Sequence, residues 1–460
     1  MKIAFKAKNN KILGIAPTRL IVLSFAALIL IGAILLSLPV ASNDGKSVGF
    51  INALFTATSA ACITGLVIAD TAKQWTLFGQ LVIIGLVQAG GLGIITLATF
   101  FSVLLGKKVG LRGMLLAQES ISHFSFAGVV RLVKKIVIVT FGIEAIGAVL
   151  LSISFVPRYG LKGVYYGVFH AISAFCNAGF DILGGVGREY KSLTEFNNDP
   201  IVIYTISGLI IVGGLGFIVW KDLYEYKNTR SLMLHTKVVL IASACLIALG
   251  ALFFFVFEYR NPLTMGNLTL FEKVNAAVFH SVASRTAGYN SIPLNEMFEI
   301  SKFVTIILMF IGSAPGSTGG GVKVTTFGVV LMAVISQIRG SDDTVILKHK
   351  VPGYVINKAL AIIGLSLALV VSVTTVMLAV EKGPLINFLN VLYEATSAFS
   401  TVGFSIGISP SDEITGISKL VLMVTMFLGR VGPLSFAIAL SLKHRKNRDI
   451  VYPEGKIVVG

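Results

Sequence analysis

The chain has 460 residues, of which 55% are hydrophobic and 13% are charged, and its mean hydropathy is +0.86. Soluble domains carry about 25% charged residues, so this composition excludes a water-soluble globular protein and indicates a chain embedded in lipid. A formal net charge of +16 would suggest a nucleic-acid partner in a soluble protein. Here the basic residues lie between apolar stretches, which favours a membrane protein without a nucleic-acid partner.

The apolar stretches are long and regularly placed. A helix that crosses a bilayer needs about 20 mostly apolar residues, and eight stretches meet this requirement. In chain order they are Thr18–Pro39, Trp75–Leu105, Leu132–Val156, Ile201–Trp220, Thr236–Phe257, Phe303–Ile338, Val355–Val380 and Ser418–Leu442. The first is too long for the apolar core of a cleaved signal peptide, so we predict that it is retained as a membrane helix.

Each pair of spans brackets a shorter stretch, and the four short stretches resemble one another. They read LFTATSAACITGLVI, VFHAISAFCNAGFDI, VFHSVASRTAGYNSI and LYEATSAFSTVGFSI. Each reaches a glycine nine or ten residues after an aromatic residue, and these glycines lie 114, 109 and 115 positions apart. Segments rich in small residues also recur by chance in membrane proteins. Four at such regular intervals indicate an internal repeat.

We therefore predict an all-α integral membrane protein built from four M1–P–M2 repeats, each with a first membrane helix, a short re-entrant pore helix and a second membrane helix. This arrangement gives eight transmembrane helices and four pore helices around one pseudo-fourfold pore. The predicted repeats are residues 18–105, 131–220, 236–338 and 355–442, with terminal tails at residues 1–17 and 443–460.

The basic residues predict the orientation. The two tails and the segments Lys107–Lys135, Lys221–Lys237 and Arg339–Lys358 together carry 24 basic and seven acidic residues, whereas the segments on the opposite side carry 12 basic and 14 acidic residues. Because basic loops stay on the cytoplasmic side, both termini are predicted to be cytoplasmic, in the plasma membrane. The four glycine segments then enter the membrane from outside.

The glycine segments indicate which class of solute the predicted pore can conduct. Irregular backbone at membrane depth must line a water-filled or ion-filled cavity, since lipid cannot satisfy its polar groups. Rings of carbonyl oxygens can replace the hydration shell of a cation such as K⁺. Apart from Arg285 no basic residue lies in these loops, and no carboxylate ring stands at the glycines. The pattern thus favours a monovalent cation over an anion or Ca²⁺.

The segments CITGL, SRTAGYNSI and FSTVGFS are similar to the filter sequences of the Trk/Ktr/HKT superfamily of potassium transporters, and most similar to its Ktr-type membrane subunits. The resemblance extends from about Thr18 to Leu442. With eight predicted spans and no additional N-terminal helix pair, the chain departs from the longer Trk-type subunits. The resemblance implies a K⁺-translocating subunit of a bacterial-type uptake system, with sodium dependence left open. It places a K⁺ filter at Ile63, Thr64, Gly65, Asn177, Ala178, Gly179, Thr286, Ala287, Gly288, Thr401, Val402 and Gly403.

The second span of each repeat carries a glycine cluster, and the third cluster is unusual. It reads GSAPGSTGGGVK, with one proline and five glycines between Gly312 and Gly321, so we predict an unwound loop there. The resemblance implies that this loop gates the pathway. The predicted gate comprises Gly312, Ser313, Ala314, Pro315, Gly316, Ser317, Thr318, Gly319, Gly320, Gly321 and Arg430. Neither this run nor GGLG at Gly90–Gly93 has the spacing or strand context of a nucleotide-binding motif.

Several polar residues lie in apolar surroundings. A charge at mid-membrane, such as Arg430, is a functional hypothesis by default. Matching the glycine clusters puts Arg430 at the depth of the start of the loop, and the resemblance implies that it lies beside the loop; the alternative is a structural arginine that bonds helix-end carbonyls. Arg285 is expected to brace the third filter loop through its carbonyls. Glu144 is expected to make an interhelical hydrogen bond. Lys323 is expected to reach toward cytosolic water. His170 and His280 are interpreted as cap or packing residues.

Two other classes of function were weighed. A secondary transporter with inverted repeats is disfavoured because all four repeats share one orientation, and a membrane enzyme lacks a catalytic cluster of side chains. The resemblance implies a homodimer on a cytosolic ring of nucleotide-binding regulatory (KtrA-type) subunits. The basic segments are the surface expected to contact this ring and anionic membrane lipid. K⁺ is the transported ion, Na⁺ stays open as an activator, and no covalent cofactor is expected.

Overall fold

The computed structural model describes residues 17–104, 129–184, 190–410 and 414–440. Nearly all of both predicted tails and most of the basic segment Lys107–Lys135 lie outside these residues. The described part of the chain is helical, apart from one short antiparallel hairpin of β1 (Val345–Ile346) and β2 (His349–Lys350).

The helices follow one order four times: a long helix, a short helix, and then a helix interrupted near a glycine. The first group contains α1 (Pro17–Leu36), α2 (Phe50–Ala61), the single turn α3 (Thr71–Gln74), α4 (Leu77–Leu92) and α5 (Ile94–Leu104). The second contains α6 (Val129–Tyr159), α7 (Lys162–Phe175), α8 (Pro200–Leu215) and α9 (Phe217–Thr229). The third contains α10 (Leu234–Glu258), α11 (Leu270–Ala283), α12 (Glu299–Phe310) and α13 (Val324–Ile338). The fourth contains α14 (Gly353–Val380), α15 (Phe388–Ser400), α16 (Gly416–Val431) and α17 (Pro433–Leu440).

The long first helices have the character of membrane spans. Four helices in the described ranges are long and apolar enough to cross a bilayer, namely α1, α6, α10 and α14. The bent pair α8 and α9 can be a fifth span, with 92° between its halves. Most residues of each span lie on the protein surface although they are apolar, as expected for helices that face lipid.

The second spans differ from their prediction. We expected only the third to be interrupted, but Trp75–Leu105, Ile201–Trp220 and Ser418–Leu442 are interrupted as well. Gly93, Gly216 and Gly432 end α4, α8 and α16 at φ values of 81°, 91° and 91°. These values lie far from the helical region, and glycine adopts them without steric strain. A hydropathy pattern cannot reveal such a break because the apolar run continues through it.

A second glycine, three residues before each of these breaks, packs against a short helix. A Cβ atom on Gly90, Gly213 or Gly429 would overlap a carbonyl oxygen at the C-terminal end of the short helix of the same group. The carbonyls belong to Ala61, Phe175 and Phe399 respectively. The glycine clusters thus let α4, α8 and α16 approach the ends of α2, α7 and α15 at backbone distance.

Candidate functional site

The four short helices converge on the four glycines predicted from the repeat. Each glycine abuts the backbone of the next group, so the four form a closed ring in chain order. A Cβ atom on each would meet the carbonyl oxygen of the residue that precedes the next glycine. The pairs are Gly65 with Ala178, Gly179 with Ala287, Gly288 with Val402, and Gly403 with Thr64.

The backbone of the ring is repeated although its side chains differ. All four glycines have positive φ, from 68° at Gly179 to 92° at Gly403. The residue two positions earlier is also left-handed in every group, with φ of 59°, 58°, 73° and 50° at Ile63, Asn177, Thr286 and Thr401. Such values are strained for β-branched residues. At Ile63, Thr286 and Thr401 the surrounding structure therefore holds the backbone against the local preference of the side chain, whereas asparagine at position 177 tolerates this conformation.

One hydrogen bond recurs in all four loops. In each loop the residue before the glycine donates its backbone N–H to a carbonyl of the short helix. The accepting residue lies four positions after the aromatic residue of the repeated segment. The bonds are Thr64 to Ser59 at 2.8 Å, Ala178 to Ser173 at 2.8 Å, Ala287 to Ala283 at 3.1 Å and Val402 to Ser397 at 2.9 Å. With this N–H turned back toward the helix, the carbonyl of the same residue is left to face the next glycine.

Buried side chains brace the ring from behind. The hydroxyl of Tyr289 donates to the carbonyl of Phe180 at 2.9 Å and so links the second and third loops. The buried carboxylate of Glu394 accepts from the hydroxyl of Ser405 at 2.9 Å and from the backbone N–H of Ser409 at 3.1 Å. These residues carry no signal of their own in the sequence, since their partners lie in another loop or up to 15 residues away.

A vestibule opens on one side of the ring. It is a cavity of about 640 Å³ that is lined by all four ring glycines and by the loops that follow them. Its wall includes the carboxylate residues Asp70 and Asp181. Within the described residues no group of three or more His, Cys, Asp or Glu side chains could hold a metal ion.

The glycine-rich loop lies on the other side of the ring, between α12 and α13. Its Gly320 N–H donates to the hydroxyl of Thr401 at 3.1 Å, and a Cβ atom on Gly319 would overlap the hydroxyl of Thr286. Since Thr286 and Thr401 belong to the predicted filter, the loop contacts the filter directly.

The loop is also bonded to the interrupted helix of the second group. Ala314 N–H donates to the carbonyl of Gly214 at 3.0 Å, and Phe217 N–H donates to the carbonyl of Gly316 at 2.9 Å. The irregular backbone of the loop thus finds partners in the carbonyl and amide groups that the break at Gly216 leaves outside the helix.

Two cations hold adjacent carbonyls of the loop. Arg430 donates through Nη1 to the carbonyl of Thr318 and through Nη2 to the carbonyl of Gly90 at 2.6 Å, so it joins the loop to the first group. Lys323 donates through Nζ to the carbonyl of Gly319 at 2.6 Å. Lys323 was expected to reach toward cytosolic water; its side chain is only partly exposed and turns back to a carbonyl four residues earlier in the irregular loop.

Arg285 also differs from its prediction. It does not brace the filter carbonyls; its guanidinium donates to the hydroxyl of Ser243 on α10 at 3.2 Å. Glu144 accepts from the side chain of Gln88 at 3.1 Å, an interhelical bond of the kind expected. His170 bonds the carbonyl of Tyr166, and His280 contacts the hydroxyl of Thr305, so both histidines have packing partners.

Comparison with known proteins gives a consistent result. A family model described as "TrkH: Cation transport protein" matches residues 4–450. The chain is 40% identical to "Ktr system potassium uptake protein B" of Bacillus subtilis over 456 residues, which covers 99% of both chains. It is 37% identical to "Potassium/sodium uptake protein NtpJ" of Enterococcus hirae, over 97% of this chain and 98% of the relative.

A solved structure supports the fold. The crystal structure of the potassium transporter TrkH from Vibrio parahaemolyticus aligns with a TM-score of 0.73 at 16% sequence identity. The alignment covers 95% of this chain and 88% of the other.

Proposed function

Because the chain belongs to the TrkH family of cation transport proteins, we propose that it is the potassium-translocating membrane subunit of a bacterial-type K⁺ uptake system. The resemblance seen in the filter segments is thereby confirmed at the level of the family, and the chain is a multi-pass transport protein rather than an enzyme. The observation that carries the proposal is the closed ring in which each of four glycines abuts the carbonyl that precedes the next.

The ring has the chemistry that a dehydrated K⁺ needs. Carbonyl oxygens from four loops can replace the water around the ion, and the left-handed glycines keep side chains out of the path. In the proposed filter, the carbonyls come from the twelve residues named from the sequence, three in each loop. Relatives with "potassium uptake" in their names support K⁺ as the ion. The name of the Enterococcus relative makes Na⁺ the competing cargo to test.

The loop Gly312–Gly321 is the proposed gate. This proposal is supported by the contacts of the loop to Thr286 and Thr401 and by the bond from the guanidinium of Arg430 to its Thr318 carbonyl. A loop across the pathway blocks the ion sterically, and a nearby cation repels it. Its glycines allow large changes of φ and ψ, as a moving segment requires.

The proposed architecture is four M1–P–M2 repeats around one pore, in the plasma membrane with both termini in the cytoplasm. Each second membrane helix is interrupted at its glycine cluster. The vestibule then faces outward and the loop faces the cytoplasm. Since four repeats close one ring, each subunit of the proposed homodimer has its own pore. Relatives named as proteins B and D of a "Ktr system" support a cytosolic KtrA-type partner ring.

Potassium uptake in a transport-deficient bacterial strain tests the proposal. Cells that express the chain are expected to accumulate K⁺ from low external concentrations, and the measurement is repeated with and without Na⁺ to decide sodium dependence. The control is the empty vector. Protein in the membrane at normal abundance without K⁺ uptake in either condition, or Na⁺ uptake without K⁺ uptake, would contradict the proposed function.

A further inference from the structure

The filter position two residues before each ring glycine carries a hydroxyl in two of the four groups. Thr286 and Thr401 occupy it in the third and fourth groups, whereas the first two groups have Ile63 and Asn177. The hydroxyl of Thr286 is hydrogen-bonded to the side-chain amide of Asn177 at 3.1 Å, so its partner lies within the filter. The hydroxyl oxygen of Thr401 instead accepts the backbone N–H of Gly320 at 3.1 Å. A filter side chain is therefore hydrogen-bonded to the glycine-rich loop.

The first half of this loop is tied down by its own backbone. At the two ends of the loop, the Gly312 N–H donates to the carbonyl of Val322 at 2.8 Å. Further along, the carbonyl of Gly316 accepts the N–H of Phe217, in the second group, at 2.9 Å. Since both bonds join backbone groups, they hold this part of the loop whatever its side chains do. We call residues 312–316 the base of the loop.

Residues 317–320 form the tip of the loop and are connected to the base differently. They lie between Gly316 and Gly321, which are both left-handed, with φ values of 68° and 72°. Glycine changes between left-handed and right-handed conformations without the steric strain that other residues incur, so two such residues can act as hinges for the segment between them. The tip is therefore the part of the loop that can change position while the base stays bonded.

Contacts with the other groups hold the tip against the filter. The hydroxyl of Thr318 donates to the carbonyl of Phe175 at 3.2 Å, and the Thr318 carbonyl accepts from Arg430. The third contact is the bond from Gly320 to Thr401, and both of these residues are buried. A buried backbone N–H needs a partner, and among the described residues the hydroxyl of Thr401 is the partner that Gly320 has.

We propose that Thr401 latches the gate: its hydroxyl holds residues 317–320 against the filter, and breaking this bond lets the tip swing about Gly316 and Gly321 while the base stays in place. The inference rests on the proposed function and gives one filter residue a second task. The backbone carbonyl of Thr401 serves the ion, whereas its side chain serves the gate. A change of the side chain that spares the backbone should therefore alter gating and leave the preference for K⁺ intact.

The first test is initial K⁺ influx through the full chain in cells that lack the cytosolic partner, at matched membrane abundance. Thr401→Val keeps the shape of the side chain but leaves the buried Gly320 N–H unsatisfied while the tip is closed, so influx is expected to rise about tenfold. Thr401→Ser keeps the hydroxyl and is expected to have wild-type influx. The matched control is Thr396→Val on α15, which should leave influx unchanged. Thr396 is buried, and its hydroxyl has no hydrogen-bond partner among the described residues.

The second test follows the tip without transport. A water-soluble maleimide is added to inside-out membrane vesicles in a Cys245→Ser background, because Cys245 is the exposed one of the three cysteines. It reports access to Ser317→Cys in the tip or to Ser313→Cys in the base. Both serines are buried and their hydroxyls are bonded to each other at 2.7 Å, so the two substitutions remove the same bond. Adding Thr401→Val is expected to speed labelling at position 317 about tenfold, because labelling follows the open population, and to leave labelling at position 313 unchanged.

Wild-type influx in Thr401→Val, an equal rise in Thr401→Ser, or a loss of K⁺ preference without higher influx would overturn the latch. Equal acceleration of labelling at positions 313 and 317 would overturn the hinged tip, since the whole loop would then move. The proposed function stands in each of these cases as long as the wild type transports K⁺. Failure of the wild type to transport K⁺ would instead remove the function, and the labelling rates would still decide whether Thr401 holds the tip.

Discussion

The glycine ring and the layer beneath it differ in how closely the four groups match one another. In the ring, four segments adopt one backbone although the residues before their glycines differ: the same left-handed positions, the same N–H bond to the short helix and the same contact with the next loop. In the layer beneath, four similar glycine clusters end differently. In the first, second and fourth groups the helix breaks at a single glycine, while the third cluster opens into the loop Gly312–Gly321. The comparison suggests that coordinating an ion needs equivalence around the axis, whereas stopping an ion needs one element that differs.

The side chains follow the same division. Within the ring the side chains at equivalent positions differ, for example Ile63 in the first group and Asn177 in the second, because backbone oxygens carry the proposed coordination. Beneath it, single residues have no equivalent in the other groups. Arg430 stands where the first and second clusters have Gly91 and Gly214, and Pro315 stands where the other three clusters have their helix-ending glycine.

The largest effect is expected from a side chain in the ring. We predict that Gly65→Ser lowers the preference for K⁺ over Na⁺ by about tenfold or more. The Cβ atom would overlap the Ala178 carbonyl oxygen at a φ of 85°, and a strained residue costs about 1–3 kcal/mol. The measurement is K⁺ uptake in competition with Na⁺. The control is Gly85→Ser on α4 of the same group, where nothing lies within 4 Å.

Serine at each of the other three ring glycines tests whether the four positions are equivalent. Gly179→Ser, Gly288→Ser and Gly403→Ser are expected to give related but unequal losses, since each glycine abuts a different neighbour. If Gly65→Ser keeps the wild-type preference for K⁺ while the protein reaches the membrane, Gly65 is not part of the filter.

A smaller and opposite effect is expected beneath the ring. Arg430→Ala, or deletion of part of the loop, is predicted to raise K⁺ influx through the membrane subunit alone and to loosen its dependence on the cytosolic partner. A hydrogen bond to a charged group contributes about 1.5–3 kcal/mol, so losing the bond to Thr318 should increase the open fraction about tenfold. Preference for K⁺ should survive, because the filter is unchanged.

Initial K⁺ influx in cells that lack the partner checks this prediction, with Arg430→Lys as a control that keeps the charge and can retain one of the two bonds. Influx at or below the wild-type level, with normal protein abundance, would make the loop and Arg430 a structural brace.

The sequence alone predicted the helical membrane class and which glycines recur, since these follow from composition and spacing, and it indicated the family through the resemblance of the filter segments. It did not predict the breaks at Gly93, Gly216 and Gly432, because an apolar run looks the same whether straight or bent. It also missed the left-handed Ile63 and the contact of Arg285 with Ser243. Such features depend on neighbours about 30 or more residues away along the chain, which no local pattern encodes.

The smallest effect is expected at Lys323, which tests how far the asymmetry of the lower layer matters. Its ammonium bonds the Gly319 carbonyl, next to the carbonyl that Arg430 holds, so both cations oppose movement of the loop.

The two cations differ in which parts of the chain they connect. Arg430 joins the loop to the first group through Gly90, whereas Lys323 bonds only within its own segment and is partly exposed, so water can replace its bond. Because water competes for this bond, we expect it to contribute about 0.5–1 kcal/mol, less than a charged hydrogen bond shielded from water, and Lys323→Met should raise basal influx by about two- to fivefold. The double variant with Arg430→Ala should exceed either single variant, because the two carbonyls are released separately. If Lys323→Met instead raises influx as much as Arg430→Ala, the restraint on the loop is local, and the connection from Arg430 to the first group adds nothing to gating.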